Sequence, residues 1–300
     1  MFGWFKQSSS SKGSPQPSPA EPRPDEKAQA PKPMPKDPFA SLRDQVAVVT
    51  GSTSGIGLAL AEALAERGVR VVLNGLGDAA AIEQTRSGLE AKYGAAVRYH
   101  GADMTQPDQI ADMVRYAHAE FGRLDILLNN AGIQHVEAIE AFPDASWDRI
   151  IAINLSSVFH ASKAAIPLMK AQGRGRIVNL ASVHGLVASP FKSAYVAAKH
   201  GVIGFTKTAA LELAETGVTC NAICPGYVKT PLVEGQIADQ ARTRGITPEQ
   251  VVRDVMLAAQ PTKQFVTFEQ LAGLLLYVVS DAGASMNGQA LAVDGGWTAQ

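Results

Sequence analysis

Side chains that can carry a proton or a charge are concentrated in one short stretch, SVHGLVASPFKSAYVAAKHG, from Ser182 to Gly201. Tyr195 and Lys199 lie four residues apart where the pattern predicts the start of a helix, so both face one side with Cβ atoms ~5–6 Å apart. A free phenol has a pKa near ~10, and a neighbouring ammonium favours the phenolate and lowers that pKa. Such a tyrosine could exchange a proton with an alcohol or a ketone near neutral pH. Ser182, at the predicted end of a strand, could hydrogen-bond the same oxygen.

A tyrosine and a lysine at this spacing also occur on solvated helix surfaces, so the pair by itself does not indicate a site. A glycine-rich turn far upstream supplies a second feature that does. TGSTSGIG, from Thr50 to Gly57, directly follows the first predicted strand and opens the first predicted helix. Its first glycine permits a tight turn. The other two let the main chain approach a pyrophosphate at a helix N-terminus, where N–H groups and the positive dipole end lie. The predicted cofactor contacts in this turn are Gly51, Thr53, Ser54, Gly55, Ile56 and Gly57.

The end of the second predicted strand, VVLNGLGD, indicates which dinucleotide would bind. Asn74, Gly75 and Leu76 lie where the adenosine ribose of a dinucleotide would lie. A 2′-phosphate on that ribose would need an Arg or Lys nearby, and none occurs between Val71 and Ala81. The sequence therefore favours NAD over NADP as the cofactor.

Strands and helices that could position these residues alternate along the chain from Gln45. The strand candidates are QVAVVT, VRVVLN, AVRYHGAD, LDILLNNAG, GRIVNLAS, VTCNAICPG and QALAVDGG, and helix-length amphipathic segments separate them. This alternation predicts an α/β fold: one Rossmann-type, doubly wound, seven-stranded parallel sheet with helices on both faces. We predict a single NAD-binding catalytic domain over residues 41–300. A polar, helical-looking segment at about 229–262 interrupts the rhythm and is interpreted as a lid over the site.

Residues 1–40 differ in composition from the rest of the chain. The first 38 residues hold nine of the 17 prolines, together with a serine run. Such a segment buries too little apolar surface to offset its ordering entropy, so we predict a disordered tail. The whole chain has 300 residues, a hydrophobic fraction of 46% and a net charge of -1. The charge argues against nucleic-acid binding, and the run LAGLLLYVV is too short to span a membrane and predicts a buried helix.

The cysteines, Cys220 and Cys224, both lie in the predicted strand VTCNAIC. Four residues of extended chain separate them by about 13 Å, so they could not share one disulfide or one metal ion. We interpret both as core residues and predict no metal site. Free thiols fit a reducing compartment, which makes the cytoplasm the expected location.

The motifs taken together resemble the short-chain dehydrogenase/reductase family over about residues 44–300. The resemblance rests on TGSTSGIG, NNAG at 129–132, Asn154, Ser182, YVAAK and the PG at 225–226, in that order. It implies that Ser182, Tyr195 and Lys199 form a catalytic triad, that Asn154 holds a water in a proton relay, and that Lys199 also hydrogen-bonds the nicotinamide ribose. The further cofactor contacts that it implies are Asp103, Met104, Asn130, Ala131, Gly132, Pro225, Gly226, Val228 and Thr230. It also implies a homotetramer with interfaces on the long helices after Ser146 and Ser193.

A second resemblance rests on NNAGIQHV, SVHGLVAS, the lysine three residues before Tyr195, PLVEGQI and the terminal VDGGWTAQ. These stretches resemble those of family members that interconvert D-3-hydroxybutyrate and acetoacetate. The resemblance assigns the substrate carboxylate to Gln134, His184, Lys192 and Gln236, and places Tyr227 and Trp297 in the substrate pocket. The chemistry agrees, because a short hydroxy acid offers little apolar surface and its recognition must rely on its charge. Tyr227 stands where tryptophan is expected. That change could enlarge the methyl pocket and admit a slightly larger 3-hydroxy acid.

Three other functions stay open at this stage. A 3-oxoacyl thioester reductase would use NADPH and be indifferent to Lys192. A sugar or polyol dehydrogenase of the same fold would need no carboxylate site. A non-catalytic NAD-binding protein could use the tail to recruit a partner, although the complete triad argues against it.

Overall fold

A computed structural model of the protein describes residues 37–299, apart from several side chains between 231 and 243. The predicted tail therefore lies almost wholly outside the described residues, and the division into a tail and a catalytic domain stays a prediction. Phe39, which falls inside the predicted tail, packs against the core, and the guanidinium carbon of Arg67 lies 5.3 Å from its ring centroid.

The seven predicted strands form one sheet in which every neighbouring pair is parallel, so the predicted fold class is confirmed. The spatial order is β3-β2-β1-β4-β5-β6-β7. The strands are β1 (Val46–Val49), β2 (Arg70–Asn74), β3 (Val97–His100), β4 (Ile126–Asn129), β5 (Gly175–Leu180), β6 (Val218–Pro225) and β7 (Ala290–Val293). The order reverses direction at β1 and β4, and a ligand crevice opens at such a point beyond the carboxyl ends of the strands.

Helices connect the strands and cover both faces of the sheet. They are α1 (Gly55–Glu66), α2 (Ala79–Tyr93), α3 (Pro107–Phe121), α4 (Asp144–Ile151), α5 (Ser157–Gln172), α6 (Ser193–Glu212), α7 (Pro231–Arg244), α8 (Pro248–Gln250) and α9 (Phe268–Val279). Two further segments, Ala152–Ser156 and Val251–Met256, are π-helical. The segment predicted as a lid is thus helical over much of its length, while its closing motion stays a prediction.

The four central strands are buried along their whole length because helices cover them from both sides, and β1 is apolar throughout. In β1, Ala47 and Val49 contribute to the hydrophobic cluster beneath α1 and α9, whereas Val46 and Val48 contribute to the cluster beneath α3 and α5. This alternation is the two-residue period of an extended strand. It holds the carboxyl ends of β1, β4, β5 and β6 side by side, where the loops that carry the predicted site begin.

The apolar run near the end of the chain lies within α9, as predicted. Leu271, Leu275, Val278 and Val279 are buried on that helix. Within residues 37–299, no helix is both long enough and apolar enough to cross a membrane.

Candidate active site

A cavity of about 1260 Å³ runs along the carboxyl ends of the central strands. Every residue that the sequence predicted for the site lines this cavity, with two exceptions. Asn154 is buried behind its wall. Gln236 lies on α7, and its side chain is outside what the structure describes.

Main-chain atoms build one end of the cavity, at the turn between β1 and α1. Helix α1 begins at Gly55, and its N-cap residue, Ser54, makes no side-chain cap bond. The first N–H groups of the helix therefore lack intrahelical partners and a side-chain cap. Gly55 has φ +57, and a Cβ built on it would meet nothing within 4 Å. This open, N–H-lined turn fits the pyrophosphate of a dinucleotide.

A network of hydrogen bonds ties the glycine turn to the loop after β4. The Thr50 hydroxyl accepts from the main-chain N–H groups of Asn130 and Ala131, at 2.9 and 3.0 Å. The Asn130 amide donates in return to the carbonyls of Thr50 and Gly51. The tight approach explains Gly57, where a Cβ would overlap the Gly51 carbonyl and the Asn130 amide.

Asn74, predicted as a cofactor contact, is engaged by the protein itself. Its Oδ1 accepts from the Gly51 N–H at 3.1 Å, and its Nδ2 donates to the carbonyls of His100 and Ala102 at 3.0 and 2.9 Å. The amide therefore fixes the glycine turn against β3. Gly75 packs directly against the Thr53 side chain, and Leu76 is largely exposed at the cavity edge.

Asp103 and Met104 line the same end of the cavity. Hydrogen bonds from the Thr105 N–H and hydroxyl, aided by the charge of Arg149, hold the pKa of the Asp103 carboxyl below its usual value. Arg149 also lines this wall, and the sequence analysis did not identify it.

Ser182, Tyr195 and Lys199 meet at the other end of the cavity. Ser182 follows β5, and α6 carries the other two residues. The Lys199 Nζ donates to the Leu180 carbonyl at 2.7 Å and lies 5.6 Å from the centroid of the Tyr195 ring. Burial lowers the pKa of Lys199 to about 8.

In the protein alone, Lys199 does not lower the pKa of Tyr195, so the predicted lowering depends on the second cation, the oxidised nicotinamide of the cofactor. Burial raises the pKa of this phenol, and only a hydrogen bond with Ser182 acts in the opposite direction. The physical reason is desolvation, which disfavours the charged phenolate. The Lys199 ammonium contacts the Leu180 carbonyl and does not offset this cost.

Asn154 lies in the π-helical segment between α4 and α5 and is buried. Its Oδ1 accepts from the Ile133 N–H at 2.9 Å, and its Nδ2 donates to the Ile133 carbonyl at 2.8 Å. Local π-helical turns are frequent at functional sites. Here the turn presents an amide that fixes the loop carrying Gln134.

His184 is buried between the two reactive hydroxyls and an aromatic wall. Its Nε2 lies 2.8 Å from the Ser189 hydroxyl, and its Nδ1 lies 3.5 Å from the Ser182 hydroxyl. Burial, and then the charge of Lys192, lower its pKa to about 4, so the imidazole is neutral at pH 7. The Ser182 hydroxyl also accepts from the His184 N–H at 3.1 Å.

Aromatic rings form the wall beside this histidine. Trp297 meets His184 edge to face at 5.4 Å and stacks on Tyr227 at 5.7 Å. The Lys192 Nζ lies 5.6 Å from the Tyr227 ring centroid. Among the side chains that the structure describes, Lys192 forms no ion pair with a carboxylate.

The other predicted residues take positions around the same space. Gln134 is exposed on the loop after β4. Thr230 is the N-cap of α7, where its hydroxyl accepts from the Val233 N–H. Gly132, Pro225, Gly226 and Val228 also line the wall.

The arrangement agrees with comparisons to known proteins. A family model described as short chain dehydrogenase matches residues 45–241. The chain belongs to the short-chain dehydrogenase family.

The D-beta-hydroxybutyrate dehydrogenase of Rhizobium meliloti is 60% identical to it over 85% of this chain and 99% of that relative. The enzyme of the same name from Cupriavidus necator is 54% identical over 86% of this chain and 100% of that relative. A solved structure of L-sorbose reductase from Gluconobacter frateurii, complexed with NADPH and L-sorbose, superposes on this chain with a TM-score of 0.83 and 28% sequence identity. The superposition covers 87% of this chain and 99% of that chain.

This short-chain dehydrogenase is therefore an oxidoreductase that acts on CH–OH groups, and its family binds a nicotinamide cofactor. Sequence analysis missed several residues that complete its site, notably Thr50, Ile133, Arg149 and Ser189. Thr50 could have been found, because it ends the first predicted strand and begins the glycine turn. No sequence signal identifies Ser189, since only the folded loop brings its hydroxyl to His184.

Proposed function

We propose that this dehydrogenase interconverts D-3-hydroxybutyrate and acetoacetate with NAD. The observation that carries the proposal is the Lys192 ammonium, which lines the same cavity as Ser182 and Tyr195 without a described carboxylate partner. A cation beside a reactive hydroxyl pair favours a small substrate that brings its own negative charge. The names of the two relatives at 60% and 54% identity support the same substrate.

The protein's own residues would bind the substrate carboxylate and exchange the proton of its hydroxyl group. Lys192 holds the carboxylate from one side, with Gln134, neutral His184 and Gln236 as hydrogen-bonding partners. Tyr195 takes the hydroxyl proton, and Ser182 donates a hydrogen bond to the same oxygen. Lys199 supplies positive charge near the phenolate. Asn154 holds the adjoining loop and a water of the proton relay.

The glycine turn, the loop after β4 and Thr230 would hold the dinucleotide. When bound, its nicotinamide accepts the hydride that leaves C3 of the alcohol. Burial raises the pKa of Tyr195 and so disfavours its phenolate. The positive charge of a bound oxidised nicotinamide would offset this effect and favour the phenolate that Tyr195 needs as a base.

NAD rather than NADP is supported by the wall beside the adenosine ribose. No basic residue occurs from 71 to 81, and Gly75 packs against Thr53. We expect higher kcat/KM with NAD than with NADP. Leu76→Arg places a cation at this exposed edge and should raise activity with NADP, whereas Leu76→Gln should not. Equal use of both cofactors by the wild-type enzyme would contradict this assignment.

The first test mixes the purified enzyme with NAD and D-3-hydroxybutyrate and follows NADH absorbance. The L enantiomer and the methyl ester are the controls. Rapid reduction with the free D acid alone supports the cation site and the stereochemistry. Turnover of esters or thioesters but not of the acid would instead favour a 3-oxoacyl thioester reductase.

Lys192→Met tests the carboxylate site directly. A hydrogen bond to a charged group contributes about 1.5–3 kcal/mol, so KM for the acid should rise about 10- to 100-fold. Lys207→Met, exposed on the same helix, is the matched control and should leave KM unchanged. An unchanged KM in the Lys192 variant would place the carboxylate elsewhere.

We also propose a homotetramer, supported by apolar side chains exposed on α4, α5 and α6. Trp147, Phe159 and Leu211 are 40%, 46% and 80% exposed in the single chain. Contact with further copies would remove this surface from water. Light scattering should give four times the mass of one chain, and a monomer at micromolar concentration would contradict the proposal.

A cytoplasmic location is supported by the buried, unpaired thiols of Cys220 and Cys224, which suit a reducing compartment. Cell fractionation with an antibody against the chain tests it. Enrichment in a secreted or membrane fraction would contradict it.

A further inference from the structure

Phe191 has an unusual backbone conformation directly before Lys192. Its φ is +65°, in the left-handed region that bulky side chains disfavour. Its side chain is 57% exposed, so burial of the ring does not account for the conformation. Strained residues of this kind persist where surrounding contacts determine them, and they cluster at functional sites.

Three contacts hold the turn formed by residues 189–192. The Ser189 hydroxyl lies 2.8 Å from Nε2 of His184. The Phe191 carbonyl accepts from the Glu137 N–H at 2.9 Å. Lys192 is the N-cap of α6, and its carbonyl accepts from the Val196 N–H. The turn is therefore fixed to the catalytic helix and to two walls of the cavity.

The bond from Glu137 connects the two segments that carry proposed carboxylate ligands. Glu137 ends the stretch that includes Gln134 and Val136, and both of these line the cavity. Phe191 immediately precedes Lys192, whose ammonium lies over the Tyr227 ring. The left-handed turn thus determines where the lysine side chain leaves the main chain.

We propose that Phe191 is a positioning residue whose left-handed backbone holds the Lys192 ammonium in the substrate cavity. The inference rests on the proposed function, since it assigns a role in binding the free carboxylate. The backbone conformation, not the exposed aromatic ring, carries the effect.

A set of substitutions at 191 separates the backbone from the ring. Phe191→Asn and Phe191→Gly both remove the ring and both tolerate a left-handed backbone. Phe191→Pro removes the ring as well but fixes φ near −65°. We expect KM for D-3-hydroxybutyrate to stay within about threefold of wild type in the first two variants. In the proline variant it should rise about tenfold or more, because small misplacements of a binding group are costly.

Other parameters show whether the change is local. The KM for NAD should not change in the proline variant, and kcat should change much less than KM for the acid. Phe191→Pro in a Lys192→Met background should raise KM by less than twofold further, since residues that act through one contact are not additive. If the proline variant does not fold, Phe191→Val is compared with Phe191→Asn, because a β-branched residue resists the left-handed region.

The outcomes separate this inference from the proposed function. If Lys192→Met raises KM but the proline or valine variant matches the asparagine variant, the function stands and the backbone role is refuted. Equal losses in the asparagine, glycine and proline variants would assign the effect to the ring. If the double variant raises KM for the acid by the product of the two separate factors, the two substitutions act independently. Positioning through Lys192 would then also be refuted. If the wild-type enzyme treats the acid and its methyl ester alike, the proposed function itself fails.

Discussion

The glycine-turn end of the cavity (the β1–α1 turn and the loop after β4) presents main chain, whereas the aromatic end (His184, Tyr195, Tyr227 and Trp297) presents side chains. At the first end, Thr50 and Asn130 bind neighbouring peptide groups, and Gly51, Gly55 and Gly57 line the wall beside them. At the second end, four rings contact one another in series. The glycine turn can therefore be recognised from local sequence, whereas the contacts that join Trp297 and Tyr227 to His184 cannot.

The difference follows from the distances along the chain. The glycine turn is eight contiguous residues, whose spacing reports a tight turn and a helix start. The aromatic end joins residues from α6, from the chain after β5, from the chain after β6 and from the last residues of the protein. Only the order of the strands brings these segments together.

The sharpest test of the aromatic end is Tyr195→Phe, which removes the reacting hydroxyl and keeps the ring. We expect kcat to fall about 10²–10⁴-fold, the contribution of a general acid–base group. The edge contact with His184 should survive, so the affinity for NAD and the melting temperature should stay close to wild type. Steady-state kinetics and thermal melts measure both. Turnover near the wild-type rate would remove Tyr195 from the mechanism.

Gly57→Ala tests the glycine-turn end, where the expected effect is on packing. The added Cβ would overlap the Gly51 carbonyl and the Asn130 amide. Overpacking of this kind costs about 1–3 kcal/mol, and NAD affinity should fall with it. Gly88→Ala is the matched control, because its Cβ meets nothing within 4 Å on α2. Denaturant unfolding and NAD titration measure the two effects. Identical behaviour of the two variants would mean that the turn has room to move.

The sequence predicted most of the fold and only part of the site chemistry. The alternation of short strand-like runs with helix-length segments identified all seven strands, including β3 and β7, which are only partly buried. It also placed Tyr195 and Lys199 on one helix. It could not predict that burial raises the pKa of Tyr195, or that Asn74 is occupied by Gly51, His100 and Ala102. Those facts depend on neighbours that are remote in sequence.

The pH dependence of folding stability tests whether burial lowers the pKa of His184. Its folded pKa of about 4 lies below the ordinary value of 6.5, so between these values the unfolded chain binds a proton that the folded protein does not. Stability should therefore fall as pH decreases through this window, by about 2 kcal/mol from pH 7 to pH 5. Thermal melts of His184→Gln should show a weaker dependence over this range. His160→Gln, on α5, is the control for replacing a histidine outside the cavity. A wild-type slope in the His184 variant would indicate that folding does not lower the pKa of this imidazole.

The smallest expected effect concerns the ring beneath Lys192. Tyr227→Leu removes the aromatic face that the ammonium contacts, and Tyr227→Phe keeps it. A cation–π contact contributes about 0.5–1 kcal/mol at a partly exposed site, so KM for D-3-hydroxybutyrate should rise about two- to fivefold in the leucine variant. The phenylalanine variant should match wild type, and kcat should change little in either, because Tyr227 holds the lysine and does not exchange a proton with substrate. If both variants lose affinity equally, the phenol hydroxyl and not the ring is the group that matters. The aromatic end would then recognise its ligand by hydrogen bonding, as the N–H groups of the glycine turn do. The two ends of the cavity would differ less in how they bind a ligand than the ring contacts indicate.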